Sequence, residues 1–230
     1  MINQAIILAG GLGTRLRSAV PDLPKCMAPV AGKPFLEHVI DYFQLQGINE
    51  FIFAVGYKSE TIIDFVEANY PDLVVDFSIE KELLGTGGAI RQAGAMARHK
   101  DVLVLNGDTI FKIDVSQLSD FHETASADCS IGLKPMTNFE RYGVVEISTG
   151  NKINSFKEKQ FYESGLISGG IYALNIDSFL GEDLPEKFSF EKDYLEALYT
   201  QRNMYGIVQD RYFIDIGIPT DYDQAQIDFK

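Results

Sequence analysis

The sequence predicts an α/β fold: a mostly parallel mixed sheet flanked by helices, with a small β-rich lobe, in one domain of 230 residues. Three observations carry this expectation. Over residues 1–127, strand signals alternate with helical ones across short joints, which implies right-handed crossovers and parallel pairing. Those strands are continuous apolar runs, as expected where both faces of a sheet are covered. From residue 128 onward the pattern changes to short strands, with no fixed-period repeat.

In chain order, "AIILAG" is the first strand, and Leu36, Val39, Ile40 and Phe43 follow at i, i+3, i+4, i+7, the stripe of a helix that Gly47 stops. "EFIFAVG" (50–56) is the second strand, and a helix from Ser59 to Ala68 turns Ile62, Ile63 and Val66 inward. "DLVVDFSIE" (72–80) is the third strand; "GTGGAIRQAGAMA" (85–97) opens on glycines and settles into a helix. "DVLVLNGD" (101–108) is the fourth, ending at an acidic residue. Six short strands are then expected in "CSIGLKP", "YGVVEIS", "KINSFKEK", "ISGGIYAL", "MYGIVQD" and "RYFIDIG", with helices near 116–125, 175–181, 189–201 and 219–228. They complete the sheet and build the lobe.

Twenty basic against thirty-three acidic residues give a net charge of −13, which opposes nucleic-acid binding. A phosphorylated small molecule stays compatible if a few cations and a metal reverse the field locally. No run approaches the roughly 20 apolar residues of a membrane span, and the N-terminus does not read as a secretory signal. Two cysteines, Cys26 and Cys129, form neither a disulfide framework nor a metal spacing. The expected location is cytoplasmic, with no nucleic-acid or membrane partner; a homodimer is left open.

Ligands of such sheets gather beyond the carboxyl ends of the strands, where the loop "GGLGTRLRSAVPDLPK" (10–25), Glu80 and Asp108 converge. The loop is not a dinucleotide fingerprint, because the frame from Gly11 puts Leu16 where the third glycine belongs, and the P-loop spacing is absent too. Gly10, Gly11 and Gly13 can still bring backbone N–H groups to an anion. Arg15 offers a planar fork for phosphate oxygens, and Lys25, in a segment stiffened by prolines, a point charge. Asp108 and Asp215 are buried-strand carboxylates that cap turns or, together with a phosphate loop, hold Mg²⁺ through hard oxygens. Glu158 and Lys159 taken alone are a solvated pair, and Arg17 and Lys33 are surface residues. His38, His99 and His122 match no catalytic constellation, and Cys26 is a small packed residue.

Taken together, "LAGGLGTRL…PKCMAPV", "ELLGTGGAI", "LNGDT", "RYGVV", "EK", "SGGIY" and "FIDIGIPTDY" resemble the sugar-1-phosphate nucleotidyltransferases over nearly the whole chain. Within that family the resemblance is strongest to the D-glycero-α-D-manno-heptose 1-phosphate guanylyltransferases. It implies a Rossmann-like fold of the nucleotide-diphospho-sugar transferase type, with a nucleotide-binding half at about 1–127 and a sugar-binding half at about 128–230. By motif, Leu8, Ala9, Gly10, Gly11, Gly13, Thr14 and Asn106 would bind the nucleotide, with Arg15 and Lys25 on the reacting phosphates. Glu80, Gly85 and Thr86 would face the base, and Asp108 and Asp215 would hold Mg²⁺. Gly143, Glu158, Ser168, Gly169 and Gly170 would meet the sugar and Lys159 its phosphate. Cys26 departs from the family's second proline after the loop lysine.

The implied activity is transfer of a nucleoside monophosphate from an NTP to a sugar 1-phosphate, making an NDP-sugar for surface polysaccharide such as capsule or S-layer glycan. A sugar phosphate is already an anionic nucleophile, so charge neutralisation and in-line positioning suffice without a strong base. Glu80 could accept from guanine N1–H and the exocyclic amine together, a pairing that uracil and thymine lack; this and the resemblance make GTP the expected nucleotide, and the resemblance implies heptose 1-phosphate. Mannose 1-phosphate with GTP and N-acetylmuramate 1-phosphate with UTP are same-chemistry alternatives, and a silent nucleotide-sugar sensor is one from another class. A dinucleotide oxidoreductase is the weakest candidate, given Leu16.

Overall fold

A computed structural model of the chain describes residues 1–11 and 22–230. Its first half runs β1 (Gln4–Leu8), β2 (Pro29–Val30), β3 (Lys33–Pro34), α1 (Phe35–Leu45), β4 (Glu50–Val55), α2 (Ser59–Asn69), β5 (Val74–Ile79), α3 (Gly85–Gly94), β6 (Asp101–Asn106), β7 (Thr109–Phe111) and α4 (Val115–Thr124). The remainder is β8 (Cys129–Phe139), β9 (Val144–Ile147), β10 (Ile153–Lys157), β11 (Tyr162–Asn175), α5 (Ile176–Leu180), a π-helical turn (Phe190–Glu196), β12 (Met204–Val208), β13 (Phe213–Asp215) and α6 (Pro219–Asp228).

Seven strands form one sheet in the order β12-β8-β11-β6-β1-β4-β5. β6, β1, β4 and β5 are mutually parallel, as the continuous apolar runs predicted, and β12 is parallel to β8. β11 runs antiparallel to both of its neighbours, so the sheet is mixed. Side chains alternate between two cores. Ala5, Ile7, Leu103 and Leu105 join α1, α2 and α4 on one face; Ile6, Val102 and Val104 join α3, α5 and the π-helical turn on the other. A strand serving both faces has no room for a polar alternation.

Two expectations need correction. Of the six strands after residue 128, two are long: β8 spans 11 residues and β11 spans 14. Their inner ends complete the sheet, while their outer ends pair beyond it, from Ile167↔Lys134 to Tyr162↔Phe139. There, with Val144 of β9, Phe139 and Ile167 form a small separate core, the lobe. The helix expected over 189–201 instead begins as the π-helical turn. β2, β3 and β7, of two or three residues each, fall below any periodic signal.

Candidate functional site

Two cavities open along the carboxyl ends of the parallel strands. The first, of about 560 Å³, is floored by Leu8, Ala9, Gly10 and Gly11 at the end of β1. Glu80 after β5, Gly85 and Thr86 of α3, Asn106 of β6, and Lys25 and Asp108 complete the predicted residues around it. The second, of about 380 Å³, is lined by Gly143, Glu158, Lys159, Ser168, Gly169, Gly170 and Asp215. Asn106 and Glu191 line both. Gly13, Thr14 and Arg15 lie outside the described residues.

The cavities meet at a carboxylate pair that no sequence spacing reveals. β13 pairs antiparallel with β7, setting Asp215 opposite Thr109 and hence beside Asp108. Lys25 Nζ donates to Asp108 Oδ2 and lies 3.5 Å from Asp215 Oδ1. Asp215 is held further by the Gly217 N–H at 2.7 Å and by Arg141 Nη2 at 3.8 Å, and Arg141 Nη1 also binds Asp221 of α6. Two partly buried carboxylates facing one ammonium are hard oxygen donors of the kind that could hold a divalent cation. Among the described residues no group of three or more His, Cys, Asp or Glu side chains gathers to hold a metal.

Glu80 lies against the first strand's loop: a Cβ built on Gly10 would stand 2.6 Å from Glu80 Oε1. Its Oε2 accepts from the Leu84 N–H at 3.0 Å. Burial raises its pKa, opposed in part by the Leu84 bond. Cys26 lines the same cavity, and burial pushes its thiol up to about 12, which keeps it protonated at neutral pH and inert as a nucleophile.

The glycines of "GTGG" have a structural duty beyond exposing backbone. The segment before the π-helical turn crosses them so closely that a Cβ on Gly87 would meet the Phe188 ring at 2.2 Å, and one on Gly88 the Glu186 carbonyl oxygen at 2.5 Å. Arg91 ties that segment down by donating to the Leu184, Pro185 and Glu182 carbonyls, its guanidinium over the Phe188 ring. Thr86 is committed as well: its Oγ1 donates to Glu191 Oε2 at 2.9 Å and accepts from the Phe190 N–H at 2.9 Å. In "SGG", Gly170 has φ +71° at a register shift in β11, and a Cβ there would stand 2.7 Å from Asn106 Nδ2.

Sequence reasoning missed Arg141, Glu191, Lys192 and Glu196. Arg141 precedes the Tyr-Gly of a motif already singled out, but its partners come from α6 and β13. The other three sit in a stretch that reads as an ordinary helix. Lys157, nearest in sequence to the predicted pair, is bound to Glu146 across the β9–β10 hairpin. Lys159, Lys187 and Lys192 carry no ion pair among the described residues, which leaves three cations at the cavities unneutralised.

A doubly covered sheet with two cavities meeting at a carboxylate–lysine cluster is the layout of an enzyme that brings two ligands together. Residues 4–230 match the family model described as Nucleotidyl transferase, and the chain belongs to that family. It is 47% identical over 223 residues to the D-glycero-alpha-D-manno-heptose 1-phosphate guanylyltransferase of Aneurinibacillus thermoaerophilus, covering 97% of this chain and 96% of that one. Against the Campylobacter jejuni protein of the same name the identity is 46%, over 95% of this chain and 96% of that one. The crystal structure of HddC from Yersinia pseudotuberculosis complexed with GMP-PN superposes with a TM-score of 0.88 at 38% identity, covering all of both chains. No helix of the described residues is long and apolar enough to cross a membrane.

Proposed function

We propose that this chain transfers GMP from GTP to D-glycero-α-D-manno-heptose 1-phosphate, releasing pyrophosphate and forming GDP-heptose. The observation that carries the reading is the 46–47% identity, over nearly the full length of both partners, to two proteins bearing that name. The geometry supports it: one cavity ends in a carboxylate suited to the guanine N1–H and amine, and the other is ringed by cations and hydroxyl acceptors.

In this reading GTP lies in the first cavity, with its base toward Glu80, Gly85 and Thr86 and its phosphates toward the Gly10–Gly11 backbone and Lys25. The sugar 1-phosphate lies in the second, against Gly143, Glu158 and the Ser168–Gly170 bend, with Lys159 on its phosphate. A sugar-phosphate oxygen attacks the α-phosphorus, that P–O bond forms, and the bond to the β-phosphate breaks as pyrophosphate departs. Lys25 leaves its carboxylate partners to neutralise charge on the pentacovalent phosphorus. Asp108 and Asp215 would hold Mg²⁺, which would supply Lewis-acid stabilisation of the phosphate oxygens. Arg15 joins the pyrophosphate end, and a homodimer is the assembly to examine first.

A matrix of GTP, UTP, dTTP and ATP against heptose, mannose, glucose and N-acetylmuramate 1-phosphates, scored by pyrophosphate release with and without Mg²⁺, tests the reading. Fastest turnover by GTP with heptose 1-phosphate is expected. Faster turnover of UTP or dTTP with the best sugar would overturn the base assignment.

A further inference from the structure

Glu191 stands where the two cavities meet, and the chemistry above does not use it. Its Oε2 accepts from Thr86 Oγ1 at 2.9 Å and from Ser189 Oγ at 3.2 Å, so the carboxylate is pinned both from α3 and from its own turn. Its Oε1 has no hydrogen bond or ion pair among the described residues. An ionised carboxylate offers acceptor sites alone. Facing a ligand cavity, it complements hydroxyls and repels phosphate.

Two cavities share this residue, but the turn that carries it favours one. Ser189, Lys192, Leu195 and Glu196 all line the second cavity and none of them lines the first. The negative charges of Glu158 and Glu191 both reach Glu196 and, after burial, help raise its pKa. Lys192, on the same turn, opposes that shift, so the second cavity holds carboxylates and the lysines Lys159 and Lys192 side by side. Both charge types are what a ligand carrying a phosphate and hydroxyls needs: cations for the one and acceptors for the other.

We propose that Glu191 is a specificity residue for the sugar, its Oε1 accepting a hydrogen bond from a hydroxyl of the sugar 1-phosphate. This rests on the sugar-1-phosphate reading of the second cavity. Because Thr86 holds the carboxylate in place, the acceptor is set before the sugar arrives.

Glu191→Gln tests this without disturbing the fold. The amide oxygen can keep the bonds from Thr86 and Ser189, which leaves its NH₂, a donor, where the sugar needs an acceptor. Steady-state kinetics with GTP and heptose 1-phosphate should show the sugar phosphate KM rising about tenfold or more, from loss of a bond to a charged acceptor, with the GTP KM and the Tm little changed. A series of monodeoxy sugar 1-phosphates gives the readout that a structural role would not move. One analogue poorly used by the wild type should lose its disadvantage relative to the parent sugar in E191Q. A raised GTP KM with the sugar KM unchanged would assign Glu191 to the ribose and overturn the proposal, as would unchanged values for both. A wild type that turns over no sugar 1-phosphate would sink the sugar-1-phosphate reading itself, and this inference with it.

Discussion

The two cavities are built from different materials. The one assigned to the nucleotide has a floor of small residues and backbone at the end of β1, Leu8, Ala9, Gly10 and Gly11, with Lys25, Glu80, Asp108, Lys187 and Glu191 around it. The one assigned to the sugar joins the backbone of Gly143, Gly169 and Gly170 to a rim of long charged side chains on short or irregular elements: Lys157, Glu158, Lys159, Lys192 and Glu196. A backbone wall at parallel strand ends is fixed by the sheet and cannot be edited one residue at a time. A side-chain wall can. The difference teaches that the floor of the first cavity is set by the fold, whereas the rim of the second is set by side chains the fold lets vary.

The junction between them is where the comparison breaks most severely. Lys25→Ala or Asp108→Asn should lower kcat about 10²- to 10³-fold, the usual cost of removing one charge-stabilising group at a reacting centre. Pyrophosphate release under saturating GTP and sugar phosphate measures it, with the sugar KM moving far less. Arg141→Ala should weaken the divalent-cation dependence about 10- to 100-fold, since this guanidinium orients Asp215 without touching the reacting groups; Mn²⁺ titration followed by electron paramagnetic resonance reads it apart from turnover. Arg141→Lys should recover only part, because one ammonium cannot reach Asp215 and Asp221 in the same fork geometry.

On the sugar side alone, Lys159→Ala should raise the KM for the sugar phosphate about tenfold, the scale of one charge-assisted phosphate contact, and leave the GTP KM unaffected. A matching rise in the GTP KM would erase the contrast between the cavities. The smallest effect belongs to Glu80. Its folded pKa lies above the unfolded value because burial disfavours the ionised form. Its ionised form therefore costs stability at neutral pH, and that cost fades as pH falls through the folded pKa toward the ordinary glutamate range. Glu80→Gln should raise Tm slightly at pH 7, lose that gain in acid, and narrow the preference for GTP over UTP. Thermal melts across pH and competition assays check the two halves of that outcome.

Much of the first half was legible because strands such as Ala5–Leu8 and Val102–Leu105 feed two cores at once, which a sequence displays as an unbroken apolar run. Lys25, Asp108 and Asp215 were legible as candidates, the two carboxylates even as a pair, but the strand pairing that brings them together was not. It depends on β13, expected in "RYFIDIG", pairing with β7, three residues that fall below any periodic signal. The length of β11 escaped for a different reason: its outer stretch, Tyr162–Leu166, is half exposed and mostly polar, without the alternation that marks a strand. Glu191 escaped because a helix-like stretch places no constraint on which of its acidic residues meets a cavity; that was decided by Thr86, 105 positions away.

β11 belongs to two neighbourhoods. Its inner end, Ile171–Asn175, is clasped between β6 and β8. Its outer end has β8 alone, and the register shift between Ser168 and Tyr172 separates the two. A register fault of this kind acts as a partition in a lineage. Residues on the far side can change length or charge while the paired core keeps its alignment, so the rim of the second cavity can vary at little cost to the fold.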